Sequence, residues 1–183
     1  MQWIDRLKYL GRPITVCSGK KCEIDISVLL PKAYSAANSI LSKTKYVSEI
    51  VRFNLIESYV IPVLFYALDA VTLSLSEQRQ FAICLNNLYR RIFGMHKCES
   101  VKPVQYFCGK LDFVNEYNLR RLRFLVVLEQ CIMMLCLTVN NLVSYSQYYV
   151  NTASLYNLTS GDNTRALRKI VFCEFASIAM SRL

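Results

Sequence analysis

The sequence predicts a mainly α-helical fold with a short β hairpin at its N-terminus. Apolar side chains recur at helical spacing through most of the chain, and Ser74 with Glu77 fits a capping box that opens one complete helix. At the start of the chain, β-compatible residues flank a turn at Gly11-Arg12-Pro13. Hydrophobic residues make up 54% of the 183 residues, which excludes a disordered, solvating chain.

The predicted hairpin occupies residues 1–22. Its apolar and β-compatible positions are Ile4, Leu7, Tyr9, Leu10, Ile14 and Val16. The polar run Ser18-Gly19-Lys20-Lys21 is typical of a loop tip. The pattern becomes helical from Asp25 onward, so a helical domain is predicted over residues 23–139.

Two helices are predicted in the first part of this domain. The first follows Pro31, and its apolar stripe consists of Ala33, Ala37, Ile40 and Leu41. The second is capped by Ser48 and is expected to kink or end at Pro62. Its apolar line consists of Val47, Val51 and Leu55.

The clearest helix follows the capping box at Ser74. Its apolar stripe consists of Phe81, Leu85, Leu88 and Ile92. Gly94 stands where a left-handed C-cap is expected. The opposite face carries Arg79, Asn86 and Arg90.

Beyond this helix, a connection with one helical turn near Val101–Phe107 is predicted, and then a long helix from about Asn115 to about Val139. Within it, Glu116 and Arg120 are i,i+4 partners. Residues 140–183 are predicted as an irregular segment followed by an amphipathic helix over Thr164–Met180.

The charge of the chain points to an acidic partner. It carries 22 Lys and Arg against 13 Asp and Glu, a net charge of +9. Nucleic acid and an anionic membrane surface are the usual partners of such a chain. The alternative is that the positive charge serves only to keep the protein soluble. The apolar stretches are interrupted short of the roughly 20 residues that a membrane-spanning helix needs, so no span is expected.

The cysteines and the N-terminus predict an intracellular protein, cytoplasmic or nuclear, that is not secreted. Eight cysteines are scattered from Cys17 to Cys173, without the density of a disulfide framework in a small secreted domain. The first residues, Met1-Gln2-Trp3-Ile4-Asp5-Arg6, lack the pattern of a signal peptide.

No catalytic constellation emerges from the sequence. The aspartates are single and far apart, whereas two-metal chemistry needs carboxylates that converge on ions about 4 Å apart. His96, Cys98 and Cys108 resemble half of a zinc site, but their spacing does not complete one. We therefore expect no enzyme activity from this chain alone and no cofactor.

Basic side chains are the better candidates for function. Arg90 and Arg91 end a helix, where cations complement the helix dipole. That explanation fails for Arg120, Arg121 and Arg123, which lie near a helix N-terminus and are about equally well interpreted as phosphate contacts or as ordinary surface charge. The predicted nucleic-acid backbone contacts are Arg79, Asn86, Arg90, Arg91, Arg120, Arg121 and Arg123.

A tyrosine-rich tail offers a further possibility. Its members are Tyr145, Tyr148, Tyr149 and Tyr156. Such side chains can stack on bases, although packing is the simpler role.

Several stretches, in order, resemble one family, the reverse transcriptases of non-LTR (LINE-type) retrotransposons. The matching segments are Leu7–Gly11 ("KYLG"), Ala36–Leu41, Arg52–Tyr66, Asn86–Gly94 ("N…RRIFG"), Leu111–Phe113 and Arg120–Leu125. Within Arg52–Tyr66, the family pattern "SYxxPxLxY" is matched by Ser58, Tyr59, Pro62, Leu64 and Tyr66. The resemblance covers roughly residues 5–130.

The resemblance implies the end of a palm followed by a helical, thumb-like bundle that holds the template–primer duplex, so its partners would be the RNA template and the RNA–DNA duplex. The family's magnesium-binding aromatic-x-Asp-Asp hairpin should precede Tyr9-Leu10-Gly11, and the chain starts only a few residues before that point. We therefore expect a fragment without fingers, palm, magnesium site or catalytic residues. Two alternatives stay open: an inert remnant of a decayed element, and a helical protein-interaction module whose apolar excess marks a partner-binding face.

Overall fold

The computed structural model describes residues 6–9, 12–17, 21–24, 26–135, 150–156 and 164–181. The protein is mainly helical, as its sequence predicts. The chain divides into two compact units, Met1–Tyr66 and Ala67–Leu183. This division differs from the predicted domains: the segment 23–139 is shared between the two units, and its predicted end lies outside the described residues.

The N-terminal strands form a three-stranded antiparallel sheet in the order β1-β2-β3. The strands are β1 (Arg6–Tyr9), β2 (Arg12–Cys17) and β3 (Lys21–Ile24). Leu7 lies opposite Ile14 in one ladder, and Val16 lies opposite Cys22 in the other. Arg12 and Pro13, which were expected in the turn, already belong to β2. Because β2 pairs on both sides, more of its backbone groups find partners than a two-stranded hairpin would provide.

The helices of the first unit are α1 (Leu29–Lys43), α2 (Glu49–Tyr59) and α3 (Ile61–Leu64). Ala33 and Ala37 are buried in α1 as predicted. The helix starts before Pro31, because proline is tolerated in a first turn, where its missing N–H is not needed. Pro62 also lies in a first turn, that of α3.

The predicted apolar line of α2 is wrong. Ile56 is the buried residue of this helix, whereas Val47 and Val51 are exposed. Ser48 does occupy the N-cap position, although its side chain makes no capping hydrogen bond. The buried face is set by packing against α1 and α3, which the periodicity of α2 alone does not reveal.

The second unit begins with a 3₁₀ turn at Leu68–Ala70 and contains α4 (Leu75–Phe93), α5 (Lys102–Phe107), α6 (Phe113–Leu135), α7 (residues 150–155) and α8 (Thr164–Met180). The capping box of α4 is confirmed: the Glu77 amide donates to Ser74 Oγ at 3.3 Å, and the Ser74 amide donates to Glu77 Oε2 at 2.7 Å. Gly94 ends the helix in the left-handed conformation at φ 64°.

Two clusters make the core of this unit. The predicted stripe of α4 is buried, and Phe81 stacks on Phe113 of α6 with ring centroids 5.3 Å apart. The second cluster joins α6 to α8 through Leu119, Leu122, Leu167, Val171 and Phe175. Both faces of α6 are thereby held, which fixes its rotation relative to α4.

None of the described helices combines the length and the apolar character that crossing a lipid bilayer requires.

Candidate nucleic-acid interface and adjoining cleft

Three of the predicted contact residues form a line along α4. Arg79, Asn86 and Arg90 are separated by seven and then four residues, which places them on one side of the helix. We call these three residues the α4 ridge. It extends over 12 residues, or 11 helical steps of about 1.5 Å, which gives about 16 Å. Arg79 is exposed and makes no ion pair or hydrogen bond with the described residues.

Arg90 is half-buried at the end of the ridge. One terminal guanidinium nitrogen donates to the Glu99 carbonyl at 3.2 Å, and the other lies 3.4 Å from Asn87 Oδ1. Its Nε is buried without a partner among the described residues. Arg90 therefore ties the segment after α4 to the helix end and keeps one donor unused. Its neighbour Arg91 is exposed, in a last turn where a cation complements the helix dipole.

On α6, the predicted ion pair is confirmed. Arg120 Nε donates to Glu116 Oε1 at 2.8 Å, and both side chains are partly buried. Arg123 lies on the same side of the helix as Arg120 and is half-buried. Its Nε has no hydrogen-bond partner in the described part of the chain. Arg120 and Arg123 therefore offer phosphate only part of their surface.

Arg121 points into the protein, so the expectation that it lies at the surface is corrected. Its side chain is only 3% exposed. The guanidinium donates to Tyr117 Oη at 2.8 Å and to Thr72 Oγ1 at 2.6 Å, and it lies 3.4 Å from the Val71 carbonyl. One helical step of 100° from Arg120 turns it from the surface to the interior.

Tyr117 completes this buried arrangement. Its hydroxyl donates to the Val71 carbonyl at 2.8 Å and accepts from the Leu73 amide at 3.1 Å. Arg121, Tyr117 and residues 71–73, which we call the Arg121 network, thus satisfy the backbone of a non-helical segment. A buried backbone without such partners would be destabilising.

Asp69 lies beside Arg120 and Glu116. Its Oδ1 is buried and has no hydrogen-bond partner among the described residues. Burial raises the pKa of the Asp69 carboxyl, the positive charge of Arg120 opposes this shift, and the negative charge of Glu116 adds to it.

A cleft of about 420 Å³ lies beside the α4 ridge, bordered by α4, α5, the segment between them and the start of α6. Its polar lining includes Asn86, Arg90, Ser100, Lys102, Gln105 and Asp112, and its apolar lining includes Ala82, Val101 and Phe113. Of the seven predicted contact residues, Asn86 and Arg90 are the two that line it. The volume lies within the range of small-ligand sites, about 300–1,000 Å³.

Gln105 is the most unusual residue of the cleft. Its side chain is 0% exposed, and its Nε2 lies 3.4 Å from Asn86 Oδ1. Its Oε1 is buried without any partner in the described residues. Sequence reasoning missed Gln105, because one glutamine in a short helical turn gives no periodic signal. The same holds for Ser100 and Lys102, which the packing of α5 brings to the cleft.

The two carboxylates at the cleft are engaged by the protein itself. Asp112 Oδ1 accepts from the Asn115 amide at 3.0 Å and so caps α6, and its Oδ2 lies 3.7 Å from Lys102 Nζ. Glu99 Oε2 accepts from the His96 amide at 3.2 Å.

One tyrosine of the predicted tyrosine-rich tail, Tyr156, lies within the described residues. Tyr156 is buried, donates to Asn115 Oδ1 at 2.6 Å and accepts from Asn118 Nδ2 at 3.2 Å, so it packs against α6. The other tyrosines of the tail lie outside the described residues.

The described residues contain no group of three or more His, Cys, Asp or Glu side chains that could hold a metal ion.

Comparison with known proteins gives no relative: no family model, no curated protein and no solved structure matches the chain significantly. Function therefore has to be inferred from the site itself and from the motifs in the sequence.

Proposed function

We propose that this protein is a helical unit that holds a nucleic-acid duplex by its phosphate backbone and has no catalytic activity alone. The observation that carries the proposal is the α4 ridge, with its exposed and unpaired Arg79, in a chain of net charge +9. Backbone contacts of this kind supply most of the affinity of non-specific nucleic-acid binding.

The helix that carries the ridge is well suited to this role. The capping box and Gly94 fix its two ends, and its apolar stripe is anchored in the core. At about 3.4 Å per nucleotide step, the 16 Å ridge matches roughly five positions along one strand. A rigid row of donors at that scale positions a duplex without reading its sequence.

The motif resemblance to LINE-type reverse transcriptases supports the same role and suggests the partner. In that family, a thumb holds the RNA template and the RNA–DNA duplex, while fingers and palm carry the catalytic aspartates and their magnesium. In our proposal, this chain supplies the thumb-like part of such a polymerase.

The test is duplex binding by the full chain as a function of salt. We expect fluorescence anisotropy with a labelled RNA–DNA hybrid to give an affinity that falls steeply between about 50 and 200 mM salt. Arg79→Ala should reduce the slope of log K against log salt by about one, because one phosphate contact is lost. Arg168→Ala, which removes an exposed arginine of α8, is the matched control and should leave the slope unchanged.

Absence of binding, or an Arg79→Ala slope equal to that of the parent chain, contradicts the proposal. The helical protein-interaction module is then the better hypothesis. It is favoured by two exposed apolar side chains, Tyr46 just before α2 and Ile50 in its first turn, which are 97% and 70% exposed. Salt-insensitive self-association in sedimentation experiments would support it, and an insoluble chain would point to the inert remnant.

A further inference from the structure

The corner between α1 and α2 exposes a group of apolar side chains. Tyr46 is 97% and Ile50 is 70% exposed, and Val47 and Val51 are exposed as well. These four residues, which we call the apolar corner, lie within six consecutive positions, in the turn after α1 and in the first turn of α2. Single exposed apolar side chains are ordinary, whereas a group of them marks contact with another surface.

The charged side chains that precede the apolar corner are positive. Lys43 ends α1 and Lys45 lies in the turn, and we call these two residues the corner lysines. Both are exposed and make no ion pair with the described part of the chain. From residue 26 to residue 48 the sequence contains three lysines and no aspartate or glutamate. An anionic partner therefore meets attraction without opposing charge along this segment.

The acidic residues of α2 lie away from the apolar corner. At 100° per residue, Glu49 is about 150° around the helix from the direction midway between Ile50 and Val51. Its Oε1 accepts from Arg52 Nη2 at 3.0 Å. Glu57 is two turns further along the helix, about 10 Å from Ile50 in the axial direction. The corner thus combines apolar side chains with a positive rim.

We infer that the α1–α2 corner docks on the surface of an anionic lipid bilayer. Tyr46 lies at the level of the headgroups, where amphipathic aromatic rings are enriched. The aliphatic residues of the apolar corner enter the boundary between headgroups and acyl chains, where buried apolar area supplies binding energy. The corner lysines meet the negative surface potential of the bilayer.

The aliphatic side chains favour a lipid surface over nucleic acid as the partner. Proteins contact phosphate and sugar with basic and hydrogen-bonding groups, and they stack bases on aromatic rings. Val47, Ile50 and Val51 provide neither, whereas the interfacial layer of a bilayer accepts them directly. This inference is independent of the proposed function, because the corner belongs to the first unit and the α4 ridge to the second.

The test is cosedimentation of the full chain with lipid vesicles. We expect binding to phosphatidylcholine vesicles that contain about 30% phosphatidylserine, and much weaker binding to phosphatidylcholine alone. Ile50→Ser should weaken binding about tenfold, because one aliphatic side chain no longer leaves water. Leu155→Ser, at an apolar position of α7 that is 67% exposed, is the matched control and should bind like the parent chain.

A double variant tests the contribution of charge. Lys43→Ala with Lys45→Ala should weaken binding to the anionic vesicles about fivefold for each lysine at low salt. Arg168→Ala with Lys169→Ala removes the same charge from exposed positions of α8 and should have a much smaller effect. Equal losses in the two double variants would show general attraction of a basic chain to the vesicles, and they would overturn the inference.

Hydrogen exchange in the parent chain locates the contact without any substitution. Anionic vesicles should slow the exchange of backbone amides in residues 43–51 and leave those of α8 unchanged. Protection at other segments without protection at 43–51 contradicts the inference. Circular dichroism checks that each variant keeps the helix content of the parent chain, and the exchange experiment decides the matter if one does not.

Two further results would assign the corner to a different partner and overturn the inference. One is a loss of duplex affinity in Ile50→Ser with unchanged vesicle binding, which assigns the corner to nucleic acid. The other is a concentration-dependent dimer that Ile50→Ser abolishes while vesicle binding persists, which assigns it to a second copy of the chain. Vesicle binding that both corner variants weaken supports the inference. Failure of duplex binding alone overturns only the proposed function.

Discussion

Arg121 and Arg90 lie in the same unit and differ in how their hydrogen bonds are used. Arg121 is buried, and its guanidinium donates to Tyr117 and Thr72 beside a backbone carbonyl. Arg90 is half-buried at a cleft, reaches one carbonyl and one amide oxygen at 3.2 and 3.4 Å, and keeps its Nε unpaired. The Nε of Arg121 is buried without a partner as well, so the two guanidinium groups differ in their burial and in the length of their terminal hydrogen bonds.

The difference teaches that a basic residue is a candidate for binding only when its terminal donors stay within reach of solvent. A guanidinium provides five N–H donors, and the protein decides how many of them remain for a partner. Arg121 and Arg120 are adjacent in the sequence, yet the first faces the interior and the second pairs with Glu116 at the surface. Charge counted along the sequence does not separate these situations.

The largest expected effect comes from breaking the Arg121 network. Arg121→Met keeps much of the apolar stem but removes the donors to Tyr117 and Thr72. We expect a loss of about 2 kcal/mol in the free energy of unfolding, because hydrogen bonds from a buried charged group are lost. Urea unfolding followed by circular dichroism measures it, and a loss below about 0.5 kcal/mol would show that the network is not structural.

Replacing Arg90 at the cleft by methionine should lower the free energy of unfolding by much less. Arg90→Met removes two hydrogen bonds of 3.4 and 3.2 Å from a half-buried side chain, whereas the two that Arg121 donates from the interior measure 2.8 and 2.6 Å. We expect a loss of about 0.5 kcal/mol in the same unfolding experiment. Arg168→Met on α8 is the control for a surface arginine. A cost equal to that of Arg121→Met would remove the distinction between the two regions.

The smallest expected effect is a rise in the free energy of unfolding, which follows from a substitution at Asp69. Burial raises the pKa of this carboxyl, so the folded state binds its proton more tightly than the unfolded state. Its contribution to stability is therefore present below the unfolded pKa and is lost as pH rises through the folded pKa. Asp69→Asn, which stays neutral, should be more stable than the parent chain at pH 7.

Measuring the free energy of unfolding over a range of pH checks the direction of this effect. The stability gain of Asp69→Asn should shrink as the pH falls through the raised folded pKa of Asp69 and should be absent below about 4, the ordinary pKa of aspartate, because both side chains are then neutral. Glu174→Gln, at an exposed position of α8, serves as the matched control. A gain that stays constant from pH 7 to acid would exclude burial of the charge as its cause.

Elements with strong local signals were predictable from the sequence. The capping box at Ser74, the apolar stripe of α4, the left-handed Gly94 and the Glu116–Arg120 pair are all found as expected. These features depend on residues within a few turns of one another. The buried face of α2 was not predictable, because it depends on α1 and α3 rather than on its own periodicity.

The residues of the candidate site also fall into those that the sequence predicted and those that it did not. Arg79, Asn86 and Arg90 were predictable as one face of α4, since their spacing is that of the helix. Gln105, Ser100 and Lys102 were not, because they reach the cleft only through the packing of α5 against its neighbours. Arg121 was assigned to the surface from its charge and its position near a helix N-terminus, and the structure places it in the interior.

The sequence by itself therefore determined the mainly helical class, the ends and apolar face of α4, and the net positive charge. Those properties are local or additive, so neighbouring residues and simple sums define them. Only the tertiary structure decided which arginine is buried in a hydrogen-bond network and that Gln105 Oε1 has no partner among the described residues. Hydrogen-bond satisfaction is a property of groups far apart in the chain, and it is settled when Arg121 meets Thr72 and when α5 meets α4.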